Sequence, residues 1–102
     1  MIGDTEIGAR SSIWYGVVIR GDVHHIRIGE EVSVQDNTVI HVTSGKHPTL
    51  VGNQVTIGHS AILHGCEIGD GCLIGMGATV MDRAVIEPNC VIGAGALVTP
   101  GT

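Results

Sequence analysis

Aliphatic side chains return every six residues along almost the whole chain, and a short fixed period of that kind restricts the fold more than any other feature. Ile7, Ile13 and Ile19 open the series, and Ile28, Val34 and Ile40 continue it. Val51, Ile57 and Leu63 follow, then Ile68, Ile74, Val80, Ile86, Ile92 and Val98. The next residue is often glycine (Gly8, Gly29, Gly52, Gly58, Gly69, Gly75, Gly93). Four residues beyond the aliphatic comes a small or β-branched side chain, as at Ser11, Val32, Thr38, Val55, Ala61, Cys72, Ala78 and Cys90. The pattern predicts an all-β hexapeptide-repeat solenoid, a β-helix with the aliphatics pointing inward.

Composition agrees. The 102 residues suffice for one domain, 1–102. With no Phe, one Trp and one Tyr, the core must be built from Val, Ile, Leu, Ala and Cys. A net charge of -5 argues against nucleic acid or an anionic membrane as partner. No run approaches the roughly 18 apolar residues of a membrane span. The opening MIGDTEIG lacks the basic and apolar regions of a signal peptide. Cys72 and Cys90 fall in the small inward slot and read as free packing thiols, while Cys66 is less clearly placed. A reducing, cytoplasmic setting is the expectation.

Three hexads closing one turn make a triangular prism of about five turns. Side C takes Ile7, Ile28, Val51, Ile68 and Ile86; side A takes Ile13, Val34, Ile57, Ile74 and Ile92. Side B takes Ile19, Ile40, Leu63, Val80 and Val98, with Ile2 as an earlier member. The steps Ile2 to Ile7 and Leu63 to Ile68 are one residue short. The step Ile19 to Ile28 gains three residues within 21–27, and Ile40 to Val51 gains five. Gly45 and Pro48 mark the second insertion as a protruding loop at about 42–50. Both insertions adjoin side B.

The slot after each aliphatic points outward. On side C it holds Gly8, Gly29, Gly52, Gly69 and Glu87; on side B it holds Arg20, His41, His64, Met81 and Thr99. His41 and His64 therefore stack in successive turns with Cβ atoms roughly 5 Å apart. That spacing suits two imidazoles holding one metal at about 2.0–2.1 Å. His59 lies on side A and should point away from this pair. It completes a three-His site only if a neighbouring chain sets its side A against this side B, which a homotrimer does at each interface. Three neutral imidazoles leave an open position, as in catalytic zinc. Gln35 and Asp36 stack with Gly58 and His59: Gln35 can hydrogen-bond a metal-bound hydroxide, and Asp36 can orient an imidazole or pair with a cation. Arg20 and Asp22 read as an ion pair across a subunit contact, with direct catalysis as the alternative. His24 and His25 in the short insertion and His47 in the long loop read as exposed loop histidines or as a proton shuttle. Trp14 and Tyr15 read as interface packing, Met76 and Met81 as packing.

The stretches Arg20-Gly21-Asp22, Gln35-Asp36, Ile40-His41-Val42 and Gly58-His59-Ser60-Ala61-Ile62-Leu63-His64-Gly65-Cys66 resemble the gamma-class carbonic anhydrase family. So do Ile74-Gly75-Met76-Gly77-Ala78 and Ile92-Gly93-Ala94-Gly95. The resemblance implies a left-handed parallel β-helix, a homotrimer, and Zn2+ (or Fe2+ or Co2+) between subunits. It makes His41 and His64 ligands from one chain and His59 the ligand from its neighbour. It puts Gln35 on the hydroxide, and Arg20 and Asp22 in intersubunit ion pairs. The implied activity is reversible hydration of CO2 to bicarbonate. Val23 stands where the most active members have Glu, Ser33 where Asn is frequent, and Val42-Thr43-Ser44 offers no acidic shuttle. A non-catalytic metal-binding or assembly protein is thus the alternative, and a hexapeptide-repeat acyltransferase with one His as general base a further one. The family's earlier turns and C-terminal helix have no counterpart in the pattern, so a truncated or engineered form is expected.

Overall fold

The computed structural model describes residues 1–43 and 47–102. Its described residues form strands and turns without a helix, and every strand–strand pairing is parallel. Side A stacks β2 (Ser12–Ile13), β4 (Ser33–Val34), β7 (Thr56–Ile57), β10 (Leu73–Ile74) and β13 (Val91–Ile92). Side B stacks the start of β3 (Val18–Ile28), then β5 (Val39–His41), β8 (Ile62–His64), β11 (Thr79–Val80) and β14 (Leu97–Val98). Side C stacks β1 (Ile2–Ile7), the end of β3, β6 (Thr49–Val51), β9 (Glu67–Ile68) and β12 (Val85–Ile86). Five strands on a side enclose only four rung-to-rung steps, so the coil makes about four turns rather than five.

The register is the one the hexads dictate. Ile19 pairs with Ile40, Ile40 with Leu63, Leu63 with Val80 and Val80 with Val98. Ile13, Val34, Ile57, Ile74 and Ile92 align likewise, as do Ile7, Ile28, Val51, Ile68 and Ile86. These columns and the small residues between them form one continuous core, in which Val34, Ile40, Ile57, Leu63, Ile74 and Val80 are fully buried. Burial fades at the ends: Ile13 is exposed, and Ile92 and Val98 are only partly covered, because each rung is sealed by the rungs on both sides. The exposed outer slots on side A and beyond carry Trp14, Tyr15, Leu73, Met76 and Val91.

Three expectations change. Ile2 pairs with Arg20, not Ile19, and is exposed, because β1 slips register between Gly3 and Thr5. Residues 21–27 do not leave the coil as a loop. They belong to β3, which runs unbroken for 11 residues from side B round to side C, so His24 and His25 are half-buried strand residues. The extra length is absorbed by Ile26, a fully buried core residue that pairs with Thr49. The long insertion is also shorter than 42–50. Val42 and Thr49 are buried and Leu50 lies in β6, while Thr43 and His47 face each other in an antiparallel bridge. Gly45, with its neighbours at 44 and 46, lies outside the described residues.

Cys66, unplaced by counting forward, sits two residues before Ile68, as Thr49 sits before Val51 and Ile26 before Ile28. Cys66 and Cys72 are buried, Cys90 is half-buried, and all three are free. Burial pushes the Cys66 thiol up to about 12. In the native chain at pH 8, a disulfide reagent should therefore titrate Cys90 quickly and leave Cys66 and Cys72 unmodified until denaturant is added. Truncating Ile57 to Ala, in the sealed middle of the stack, should cost about 2–5 kcal/mol in denaturant unfolding. Val98→Ala at the half-covered end should cost clearly less.

Candidate metal centre

Two strands deliver two imidazoles to one point. β5 ends at His41 and β8 ends at His64, and the two residues are direct partners in the parallel ladder. Their rings lie edge to face with centroids 5.0 Å apart, and His41 Nδ1 stands 3.2 Å from His64 Nε2. A tetrahedral zinc holding two nitrogens at about 2.0–2.1 Å separates them by roughly 3.3 Å. The pair thus already has the spacing of one edge of a zinc tetrahedron.

The outer nitrogens are engaged by carboxylates. Asp22 Oδ1 lies 3.2 Å from His41 Nε2, and Asp82 Oδ1 lies 2.6 Å from His64 Nδ1. A carboxylate only accepts, so each outer nitrogen carries the N–H and each inner nitrogen presents a lone pair. Two lone pairs facing each other at 3.2 Å call for an electrophile between them, a proton or a metal ion. Asp22 also binds Arg20 Nη2 at 3.0 Å, and the Arg20 hydrogen bond holds its carboxyl below the ordinary 3.8. Burial pushes Asp82 up, but hydrogen bonds from the Thr43 hydroxyl and from His64 outweigh it and leave the carboxyl below 3.8. The loop ends lock the backbone beneath: Thr49 Oγ1 donates to the His41 carbonyl at 2.6 Å and accepts from Gly65 N–H at 2.8 Å.

His59 lies on another face. Ser60, at φ 58, turns the corner between β7 and β8, so residues five apart in sequence point from different sides. The His59 ring is about half exposed, with Nδ1 3.6 Å from Asp36 Oδ1. With Gln35, Asp36, Trp14 and Tyr15 it lines a shallow cavity of about 330 Å³ on side A. Among the described residues, no group of three or more His, Cys, Asp or Glu converges to hold a metal. One chain therefore supplies two of the three expected ligands at one place and the third, with Gln35 and Asp36, at another. Arg20 and Asp22 pair with one another inside the chain. His24 and His25 pair off as well, Nδ1 to Nδ1 at 3.1 Å.

The sequence pattern of the bacterial transferase hexapeptide family, six repeats, matches residues 48–82 and 65–100. The chain belongs to that hexapeptide-repeat family. Within it, the chain is 52% identical over its whole length to gamma carbonic anhydrase 1, mitochondrial, of Arabidopsis thaliana, and covers 39% of that protein. A solved hexapeptide transferase family protein from Anaplasma phagocytophilum superposes with TM-score 0.93 at 51% identity, over 98% of this chain and 58% of that one. A putative acetyltransferase from Bacillus cereus superposes with TM-score 0.95 at 46% identity, over the same shares. The chain spans about two fifths of the length of the mitochondrial gamma carbonic anhydrases 1 and 2 of Arabidopsis thaliana.

In this hexapeptide-repeat chain, sequence reasoning missed two site residues, Asp82 and Thr43. Asp82 is the second residue after Val80, so it stacks over Gly65, one step diagonal from His64. Reading the second outward slot as well as the first would have found it. In zinc-free protein, carbon NMR titration should give Asp22 and Asp82 midpoints below 3.8. With folded values depressed, whatever stability they contribute is present above the unfolded value and is lost as pH falls through the folded one. Midpoints at or above 3.8 would contradict the assigned contacts.

Proposed function

We propose that this chain assembles as a homotrimer that holds zinc between subunits and catalyses reversible hydration of CO2 to bicarbonate. The observation that carries the reading is the 3.2 Å approach of His41 Nδ1 and His64 Nε2, with both outer nitrogens on carboxylates. Two neutral imidazoles form half a tetrahedral site, and His59, exposed on side A beside Asp36, is available to a neighbouring copy. Fe2+ and Co2+ suit the same imidazole donors. The apolar slots exposed around side A, Trp14, Leu73, Met76 and Val91 among them, favour burial against a second copy.

His41 and His64 would hold the metal from one subunit and His59 from the next. Zinc, when bound there, supplies Lewis acidity that generates a nucleophile from water near neutral pH. Gln35 shares the cavity with His59, and its amide would orient the reacting oxygen. Asp36 would fix the His59 ring, and Asp22, steadied by Arg20, the His41 ring. Free thiols suit a reducing compartment; we place the chain in the cytoplasm, although the Arabidopsis relatives are named mitochondrial. Among the described residues, no helix is long and apolar enough to cross a membrane.

A non-catalytic metal-binding role is the second reading. It is favoured by Val23, an exposed apolar side chain beside Asp22 where a proton-carrying group would serve turnover. Acyl transfer, suggested by the names of the solved relatives, needs no metal and would survive chelation.

Metal analysis with solution mass and stopped-flow CO2 hydration tests the reading. The expected result is one zinc per chain, a trimer, and hydration abolished in His41→Ala. Neither His41→Ala nor His59→Ala should bind zinc alone. Mixed after refolding, the two should recover part of the sites, because an interface with its His59 from one variant and its His41 from the other is intact. Full zinc without hydration above the His41→Ala control selects the non-catalytic reading; a monomer at high concentration removes both.

A further inference from the structure

We infer that Asp82, anchored by Thr43, is the positioning residue that sets the tautomer and aim of the His64 ring, and that it couples the long loop to the metal centre. The inference rests on the zinc reading above only for its affinity measurement.

Both oxygens of the Asp82 carboxylate are committed. Oδ1 accepts from His64 Nδ1–H at 2.6 Å, and Oδ2 accepts from the Thr43 hydroxyl. The group comes from the rung above, so it reaches His64 only by passing over Gly65. Gly65 has φ +61, where an L side chain is strained, and a Cβ there would stand 2.8 Å from Asp82 Oδ1 and 3.1 Å from His47 Cβ. Glycine at 65 therefore serves the carboxylate's path as well as the turn.

Thr43 lies two residues beyond His41 and pairs through its backbone with His47, at the mouth of the insertion. Its hydroxyl leaves the Asp82 carboxylate one orientation. The result is a chain of contacts from loop mouth to carboxylate to imidazole. Held this way, His64 keeps its proton on Nδ1 and turns the Nε2 lone pair toward His41. Asp22 performs the matching task on His41 from the rung below, but it is anchored by Arg20 on the coil itself. The two ligand rings are thus supported from opposite directions, and only the His64 support depends on the loop.

The test uses four forms of the chain: wild type, Asp82→Ala, Thr43→Val and Thr43→Ser. Val keeps the shape of Thr and removes the hydroxyl, whereas Ser keeps the hydroxyl. Ring nitrogen NMR on zinc-free protein at pH 8 reads the His64 tautomer directly, and chelator competition reads zinc affinity. In wild type and Thr43→Ser, His64 should carry its proton on Nδ1. In Asp82→Ala that population should fall in favour of Nε2–H, and zinc affinity should drop by about 10- to 100-fold. Thr43→Val should shift both readouts the same way by a smaller amount. An unchanged tautomer in Asp82→Ala would overturn the inference, as would equal behaviour of Thr43→Ser and Thr43→Val. If wild type binds no zinc yet shows the Asp82-dependent tautomer, the metal reading fails and the positioning role stands. Should Asp82→Ala fail to fold, the Thr43 pair decides the matter alone.

Discussion

In-register parallel stacking is the constraint on which everything else depends. Each rung donates and accepts backbone hydrogen bonds with the rung on either side, as in Gly29 N to Val51 O at 2.9 Å and Gly52 N to Ile68 O at 2.8 Å. Because the ladder is parallel and unshifted through the middle turns, a side chain at one hexad position lies beside its equivalent in the next turn. That repeat builds the core from columns of Val, Ile and Leu without large rings. It also puts His41 beside His64. A slip of one residue in either strand would turn an imidazole inward and an aliphatic outward, destroying core and site together.

The site uses departures from that regularity. The long β3 strand carries Asp22 round the corner toward His41, and its extra residues are held in place by Ile26 packing into the core. The longer insertion is bounded by Thr43 and Thr49, and both threonines work on the site. Thr43 holds the Asp82 carboxylate, while Thr49 ties the His41 carbonyl to the Gly65 amide. Insertions in a solenoid cost little when their ends remain hydrogen-bonded to the rungs, and here the ends carry the polar partners that the two imidazoles need.

Electrostatics explains why those partners are carboxylates. An acceptor behind each imidazole keeps the proton on the far nitrogen and leaves the lone pair facing inward. Asp22 and Asp82 both stay ionised below the ordinary carboxylate range, the first through Arg20, the second through Thr43 and His64 against the opposing effect of burial. The two are exposed enough to remain solvated, so the support is directional more than energetic. Among the described residues, no buried side-chain polar atom lacks a partner.

Period alone determined the three columns, the five strands per side and the pairing of His41 with His64, because a six-residue repeat with inward aliphatics permits one register. The separation of His59 from that pair was equally readable, since the step from Ile57 to Leu63 crosses a corner. Tertiary structure decided what a period cannot encode. It drew residues 21–27 into a strand, because Ile26 had a place in the core that forward counting did not assign. It brought Asp82 over Gly65 to His64, a diagonal contact that depends on a positive φ and a missing Cβ. Repeats specify which residues share a rung or a column. Contacts that run between columns depend on corner angles and side-chain reach, and those exist only once the coil has closed.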